Sequence, residues 1–88
     1  MSTMQEGNRR SEVLERLAGI IRNEVNESGA VINEKSTARD VPGWDSLAHI
    51  NIIMAVERNF GLKMRSAEIA KIQDVSGLVD IILERGRF

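Results

Sequence analysis

The stretch Gly43-Trp44-Asp45-Ser46-Leu47-Ala48-His49-Ile50-Asn51-Ile52-Ile53-Met54-Ala55-Val56-Glu57-Arg58-Asn59-Phe60-Gly61 decides the fold of this chain. Pro42-Gly43 is a turn signal that delivers the chain to Trp44. Asp45 is suited to cap a helix, because its short carboxylate can accept from free N–H groups of the first turn. Apolar residues then recur at three- and four-residue spacing, which predicts an amphipathic helix from Ser46 to about Phe60. Gly61 is its natural stop. At about 100° per residue, Ile52, Ile53, Val56 and Phe60 gather on one side of this helix. Leu47, Ile50 and Met54 gather on another, flanked by Asn51 and Arg58, with Glu57 between the two stripes. The first stripe carries the bulky Phe60 and is the better core candidate. The second begins directly after Ser46 and is expected to be at least partly exposed.

Outward from this helix the chain reads as more helices. Ser11 can cap a first helix in which Val13, Leu14, Leu17, Ile20, Ile21 and Val25 form one buried stripe. Gly29 is a reasonable stop for it. Residues 30–44 show no helical pattern, a long loop for a small domain. Val31, Ile32 and Val41 can pin that loop to the core, and Ser36-Thr37-Ala38-Arg39-Asp40 can close one helical turn. After Gly61, Ser66 can cap a brief third helix through Ile72, with Ile69 and Ile72 inward. Asp74 can cap a fourth, with Val75, Leu78, Val79, Ile81 and Ile82 as its apolar side. Gly86 stops it, leaving Arg87 and Phe88 as a tail. The expected fold is all-α, a small four-helix bundle with a long loop between the first and second helices. Its core is expected to hold Leu14, Leu17, Ile21, Val25, Ile53, Val56, Phe60, Ile69, Ile72, Leu78, Val79 and Ile82.

Bulk properties narrow the function. Eighty-eight residues allow one domain with one small core. The chain has no cysteine, so neither a disulfide nor a thiolate metal site holds it together. A formal net charge of −1 offers no basic field for nucleic acid. Its longest apolar run, Ile52 to Val56, is far too short to span a bilayer. No cationic segment followed by an apolar one opens the chain, so no signal peptide is expected, and a soluble cytoplasmic monomer is the default.

Chemistry concentrates around Ser46. A helix start carries unpaired backbone N–H groups and the positive end of the helix dipole, so a phosphate attached there is electrostatically favoured. The plainer alternative is a helix-cap serine in a turn. Asp45, Ser46 and His49 invite a hydrolase reading, since Ser46 and His49 share a helix face. A triad, however, needs the acid to orient the imidazole, whereas Asp45 and Ser46 are adjacent and point in different directions. No glycine-rich turn or second element supplies an oxyanion hole. The chain therefore reads as a non-enzyme. With one histidine and no cysteine, no metal site is expected. Trp44, the single tryptophan, serves either to pack the loop or as a wall beside Ser46, with packing preferred.

Asp45-Ser46-Leu47, followed by an apolar helix ending in Glu57-Arg58-Asn59-Phe60-Gly61, resembles the attachment site and second helix of acyl carrier proteins. The resemblance continues through Ile69-Ala70-Lys71-Ile72, Asp74-Val75 and Leu78-Val79-Asp80-Ile81-Ile82. It implies an acyl-carrier-like domain over residues 11–85, between a flexible tail at 1–10 and a short tail at 86–88. It implies that Ser46, within Asp45-Ser46-Leu47, carries 4′-phosphopantetheine transferred from coenzyme A by a phosphopantetheinyl transferase. The thiol of that arm holds acyl or aminoacyl groups as thioesters for loading and transferring enzymes. Leu47, Ile50, Met54, Asn51 and Arg58 are the matching partner-docking positions. One departure stands out. The second helix is strongly acidic in well-known fatty-acid carriers, but here Glu57 and Arg58 cancel, and Ala48, Asn51 and Arg58 occupy positions that are often acidic. That points to a specialised lipid, polyketide or peptide-type pathway. The alternative is a carrier-like helical adaptor that binds a protein partner without the arm.

Overall fold

Four helices form in the computed structural model, which describes residues 2–87, with side chains from residue 9 onward. They are α1 (Ser2–Val25), α2 (Ser46–Phe60), α3 (Ser66–Lys71) and α4 (Val75–Arg85), with no strand among the described residues. The all-α four-helix architecture with its long first loop is therefore the one the periodicity predicts. Met1 and Phe88 of the expected tails lie outside the described residues.

Helix α1 packs against both α2 and α4. Its stripe of Val13, Leu17, Ile21 and Val25 meets Ile52, Ile53, Val56 and Phe60 of α2 and Val75, Leu78, Val79 and Ile82 of α4 in one core. Three residues of the expected core, Leu14, Ile69 and Ile72, are only partly buried at its edge. Val13 takes the interior position beside Leu17 instead. Phe60 is fully buried, and the guanidinium of Arg16 lies 4.5 Å from its ring centroid. The Arg16 side chain thus closes the core at that end while keeping its charge near water.

The helix ends differ from their expected places for local reasons. α1 starts at Ser2 rather than at a Ser11 cap. Residues 2–10 contain no proline, a lone Gly7 costs only about 1 kcal/mol, and extending an existing helix adds one hydrogen bond per residue fixed. α1 ends before Gly29, because Asn26 adopts the left-handed conformation at φ 59°. The Glu27 N–H then reaches back to the Arg22 carbonyl at 2.9 Å. Asparagine is the residue after glycine that most readily takes this geometry. The N-cap of α3 is Arg65, one residue before Ser66, and the Glu68 carboxylate accepts from the Arg65 N–H at 2.9 Å. Gly61 and Asp74 end α2 and cap α4 as expected.

The long loop is tied down at both ends. Arg22 Nε donates to the Ala30 carbonyl at 2.6 Å. The buried Ser36 hydroxyl accepts from the Asn33 N–H at 2.9 Å. The carbonyls of Glu34 and Ser36 accept from the N–H groups of Ser76 and Val75, both at 2.9 Å. Two free donors at the start of α4 are thus satisfied by loop backbone. Arg10 bridges Glu34 and Asp80, joining α1, loop and α4. Ile32 and Val41 pin the loop to the core, but Val31 is 81% exposed. Adjacent residues of an extended segment face opposite ways, so burying Ile32 turns Val31 to solvent. Within 36–40 the chain makes a single turn, closed by Asp40 N–H to the Thr37 carbonyl at 3.0 Å.

Gly43 has φ +84°, and a Cβ there would stand 2.7 Å from the Val25 carbonyl oxygen. Only glycine fits both the conformation and the contact. Gly43→Ala is expected to cost about 1–3 kcal/mol in urea unfolding. A loss below about 0.5 kcal/mol, the range of an inert surface change, would contradict this packing.

Candidate functional site at the start of the second helix

The site is built by one turn and one cap. Pro42-Gly43 seats the chain against the end of α1, and the Asp45 N–H donates to the Gly43 carbonyl at 3.0 Å. Asp45 is extended (φ −99°, ψ −171°), and its carboxylate accepts from the Ala48 N–H at 2.8 Å. Its own carbonyl accepts from the His49 N–H at 2.9 Å, opening the helix. Ser46 is therefore the first residue of α2, and it is exposed. Its hydroxyl makes no hydrogen bond among the described residues. Leu47 follows at 68% exposed.

Trp44 is buried, as packing of the loop requires, yet its indole also meets His49. Trp44 Nε1–H donates to His49 Nδ1 at 3.1 Å, and the two rings stack with centroids 6.0 Å apart at 25°. Because Nδ1 accepts, the neutral imidazole carries its proton on Nε2. Burial holds His49 below the usual imidazole range. Asp45 bonds to backbone rather than to His49, so these residues do not assemble a triad.

An open groove of about 570 Å³ runs beside Ser46, lined by Ala38, Trp44, Asp45, Ser46, His49 and Ile50. Behind it a hollow of about 40 Å³ shares Ala38, Trp44 and His49 and reaches Ile72, Gln73 and Asp74. Sequence reading placed Asp45, Ser46 and Leu47 correctly at the helix start. It missed Ala38, Gln73 and the Trp44–His49 bond, none of which follows from helical periodicity.

Down the exposed face of α2, Ile50 is 56% and Met54 53% exposed, and Asn51 and Arg58 are exposed beside them. Leu47, Ile50 and Met54 form the apolar stripe opposite the core side, which the loop leaves uncovered. Glu57, the only acid of the helix, accepts from the Met64 N–H at 2.8 Å and holds the connector to α3. Among the described residues there is no cluster of three metal-ligating side chains, and no helix is long and apolar enough to cross a membrane.

Known proteins resemble this chain over most of its length. The chain is 33% identical over 73 residues to an acyl carrier protein of Thermosynechococcus vestitus, covering 82% of this chain and 89% of that protein. It is 32% identical over 75 residues to an acyl carrier protein of Phenylobacterium zucineum, covering 85% and 95%. This chain belongs to the acyl carrier protein family. It also matches mitochondrial acyl carrier protein 2 of Arabidopsis thaliana at 30% identity, spanning 58% of that longer protein. The solution structure of a holo acyl carrier protein from Geobacter metallireducens superposes with a TM-score of 0.76 at 29% identity, covering 82% and 83% of the two chains. No family model matches the chain. Acyl carrier proteins are carriers rather than catalysts.

The half-buried imidazole makes stability and pH interdependent in this acyl carrier protein. The folded pKa of His49 lies below the ordinary 6.5, so the unfolded chain takes up this proton more readily. Stability from this group is then complete above about pH 6.5 and is lost as pH falls toward the folded pKa. Protonating Nδ1 also breaks the bond from Trp44. Fluorescence of the single tryptophan should therefore change with a midpoint below 6.5, and His49→Phe should abolish that transition. A midpoint at or above 6.5 would contradict a neutral imidazole held by partial burial.

Proposed function

We propose that Ser46 is the attachment site of a 4′-phosphopantetheine group and that this protein carries acyl or aminoacyl groups on it in a specialised lipid, polyketide or peptide-type pathway. The observation that carries the reading is the exposed, unbonded Ser46 hydroxyl at the first position of a capped helix in an acyl carrier protein. A transferase must reach that oxygen, and nothing in the surrounding fold covers it. The residues present fit the group. The N–H groups of Ser46 and Leu47 have no partner among the described residues and lie at the positive end of α2, which favours an attached phosphodiester. Asp45 holds that helix start in place through Ala48. The groove beside Ser46 offers apolar walls at Ala38, Trp44 and Ile50. When bound, the arm supplies a terminal thiol that holds the cargo as a thioester.

Partner enzymes would be the phosphopantetheinyl transferase and the enzymes that load and unload the cargo, in the cytoplasm, with the carrier monomeric. Leu47, Ile50 and Met54 are their docking patch, with Asn51 and Arg58 at its border. Glu57 is engaged with the connector and Arg58 balances it, so the patch attracts by apolar burial more than by charge. The same neutrality supports a dedicated pathway over one whose enzymes read an acidic helix.

Incubation with coenzyme A and a broad-specificity phosphopantetheinyl transferase is expected to add one arm by intact mass, and Ser46→Ala to abolish the gain. No gain with several transferases would favour an arm-free adaptor. For the patch, Met54→Glu should weaken binding to a loading enzyme while leaving the far-ultraviolet spectrum and unfolding midpoint unchanged. Unfolding by that change, or a collapse of wild-type affinity on modest addition of salt, would contradict apolar docking.

A further inference from the structure

His49 has one ring nitrogen committed and one left over. Nδ1 accepts from Trp44, so the neutral ring presents Nε2–H as a donor. Nε2 has no protein partner among the described residues, yet no buried side-chain nitrogen is left unsatisfied. The Nε2–H therefore reaches solvent, and of the two spaces that His49 borders, the groove beside Ser46 and the hollow of about 40 Å³ toward Asp74, the groove is the larger and the more open. His49 stands three residues after Ser46 on α2, the spacing that places two side chains on one helix face.

The other lining groups offer no competing side-chain donor. Trp44 Nε1–H is spent on His49, the Asp45 carboxylate accepts from Ala48, and Ala38 and Ile50 are apolar. The donors that border this groove for an anion joined to Ser46 Oγ are thus the first backbone N–H groups of α2 and His49 Nε2–H. We infer that His49 is a cofactor-binding residue that donates from Nε2 to the phosphodiester at Ser46, with Trp44 fixing the tautomer that makes it a donor. The inference rests on attachment of the arm to Ser46. The charged groups around the ring are Asp45 from the loop and Asp74 from the segment before α4, both engaged as helix caps. The docked phosphodiester adds a third negative charge, and it is the one that differs between unloaded and loaded protein.

Loading by coenzyme A and transferase is first checked by intact mass; absence of the increment overturns the attachment reading and this inference with it. On protein shown to be loaded, the ring nitrogens and the phosphorus are followed by NMR. At pH 8 the unloaded wild type is expected to show the Nε2–H tautomer. Loading is expected to raise the His49 midpoint by about one unit, the low end of what a nearby opposite charge exerts. The phosphodiester resonance should move as His49 titrates. In His49→Phe, which keeps a ring against Trp44, that movement should vanish; His49→Gln, which keeps a donor, should leave the pH 8 resonance near its wild-type position. Equal His49 midpoints in unloaded and loaded wild type, with the mass increment present, would overturn the inference while leaving the attachment standing. That comparison needs no variant, so it holds even where a substitution disturbs the fold.

Discussion

The hydrogen bond from the Ala48 N–H to the Asp45 carboxylate, 2.8 Å long, sets where α2 begins, and the rest of the site follows from that position. Each residue of a helix turns the face by about 100°. A start displaced by one residue would swing Ser46 away from the groove and rotate Leu47, Ile50 and Met54 toward the bundle. The same phase is enforced from the far side by burial of Ile52, Ile53, Val56 and Phe60. Cap and core therefore specify one rotation of one helix. Gly43 makes the cap reachable, because its left-handed backbone lets the turn close against the last carbonyl of α1.

The long loop belongs to the bundle's hydrogen bonding as much as to the site. Its carbonyls at Glu34 and Ser36 supply acceptors to the start of α4, and its Ile32, Val41 and Trp44 are core residues. A loop of this length would otherwise be an entropic burden on a domain with so small a core. Tying it to α1 through Arg22 and to α4 through backbone fixes Ala38 and Trp44 beside Ser46. The groove is thus a consequence of how the loop is satisfied.

Much of this was legible in the sequence where one physical rule dominates. Asp45, Ser46, Gly61 and the two stripes of α2 obey capping preference and periodicity together, and both point the same way. Legibility failed where the signals were degenerate. Asn26 and Gly29 are both able to end a helix, and the chain takes the earlier one, with Asn26 left-handed at φ 59°. The start of α1 was misplaced because polar residues without proline permit a helix as well as a tail. Val31 and Ile32 are equally apolar, and the choice of which is buried depends on the direction of an irregular segment. The Trp44–His49 bond spans the cap itself, where no fixed spacing relates two side chains. It is the feature of the site that only three-dimensional structure supplies.

An acyl carrier protein with a neutral second helix keeps the presentation of its serine while giving up much of the charge by which partners are steered. The function we propose then depends on a single modified oxygen and an apolar surface beside it. The most direct test is peptide mapping by mass spectrometry on the protein purified from its own cells. The account predicts phosphopantetheine on the peptide containing Asp45-Ser46-Leu47, with the fragment ions placing it on Ser46. Modification of a different residue, or a protein that is isolated wholly unmodified while other carriers in the same cells are loaded, would contradict it.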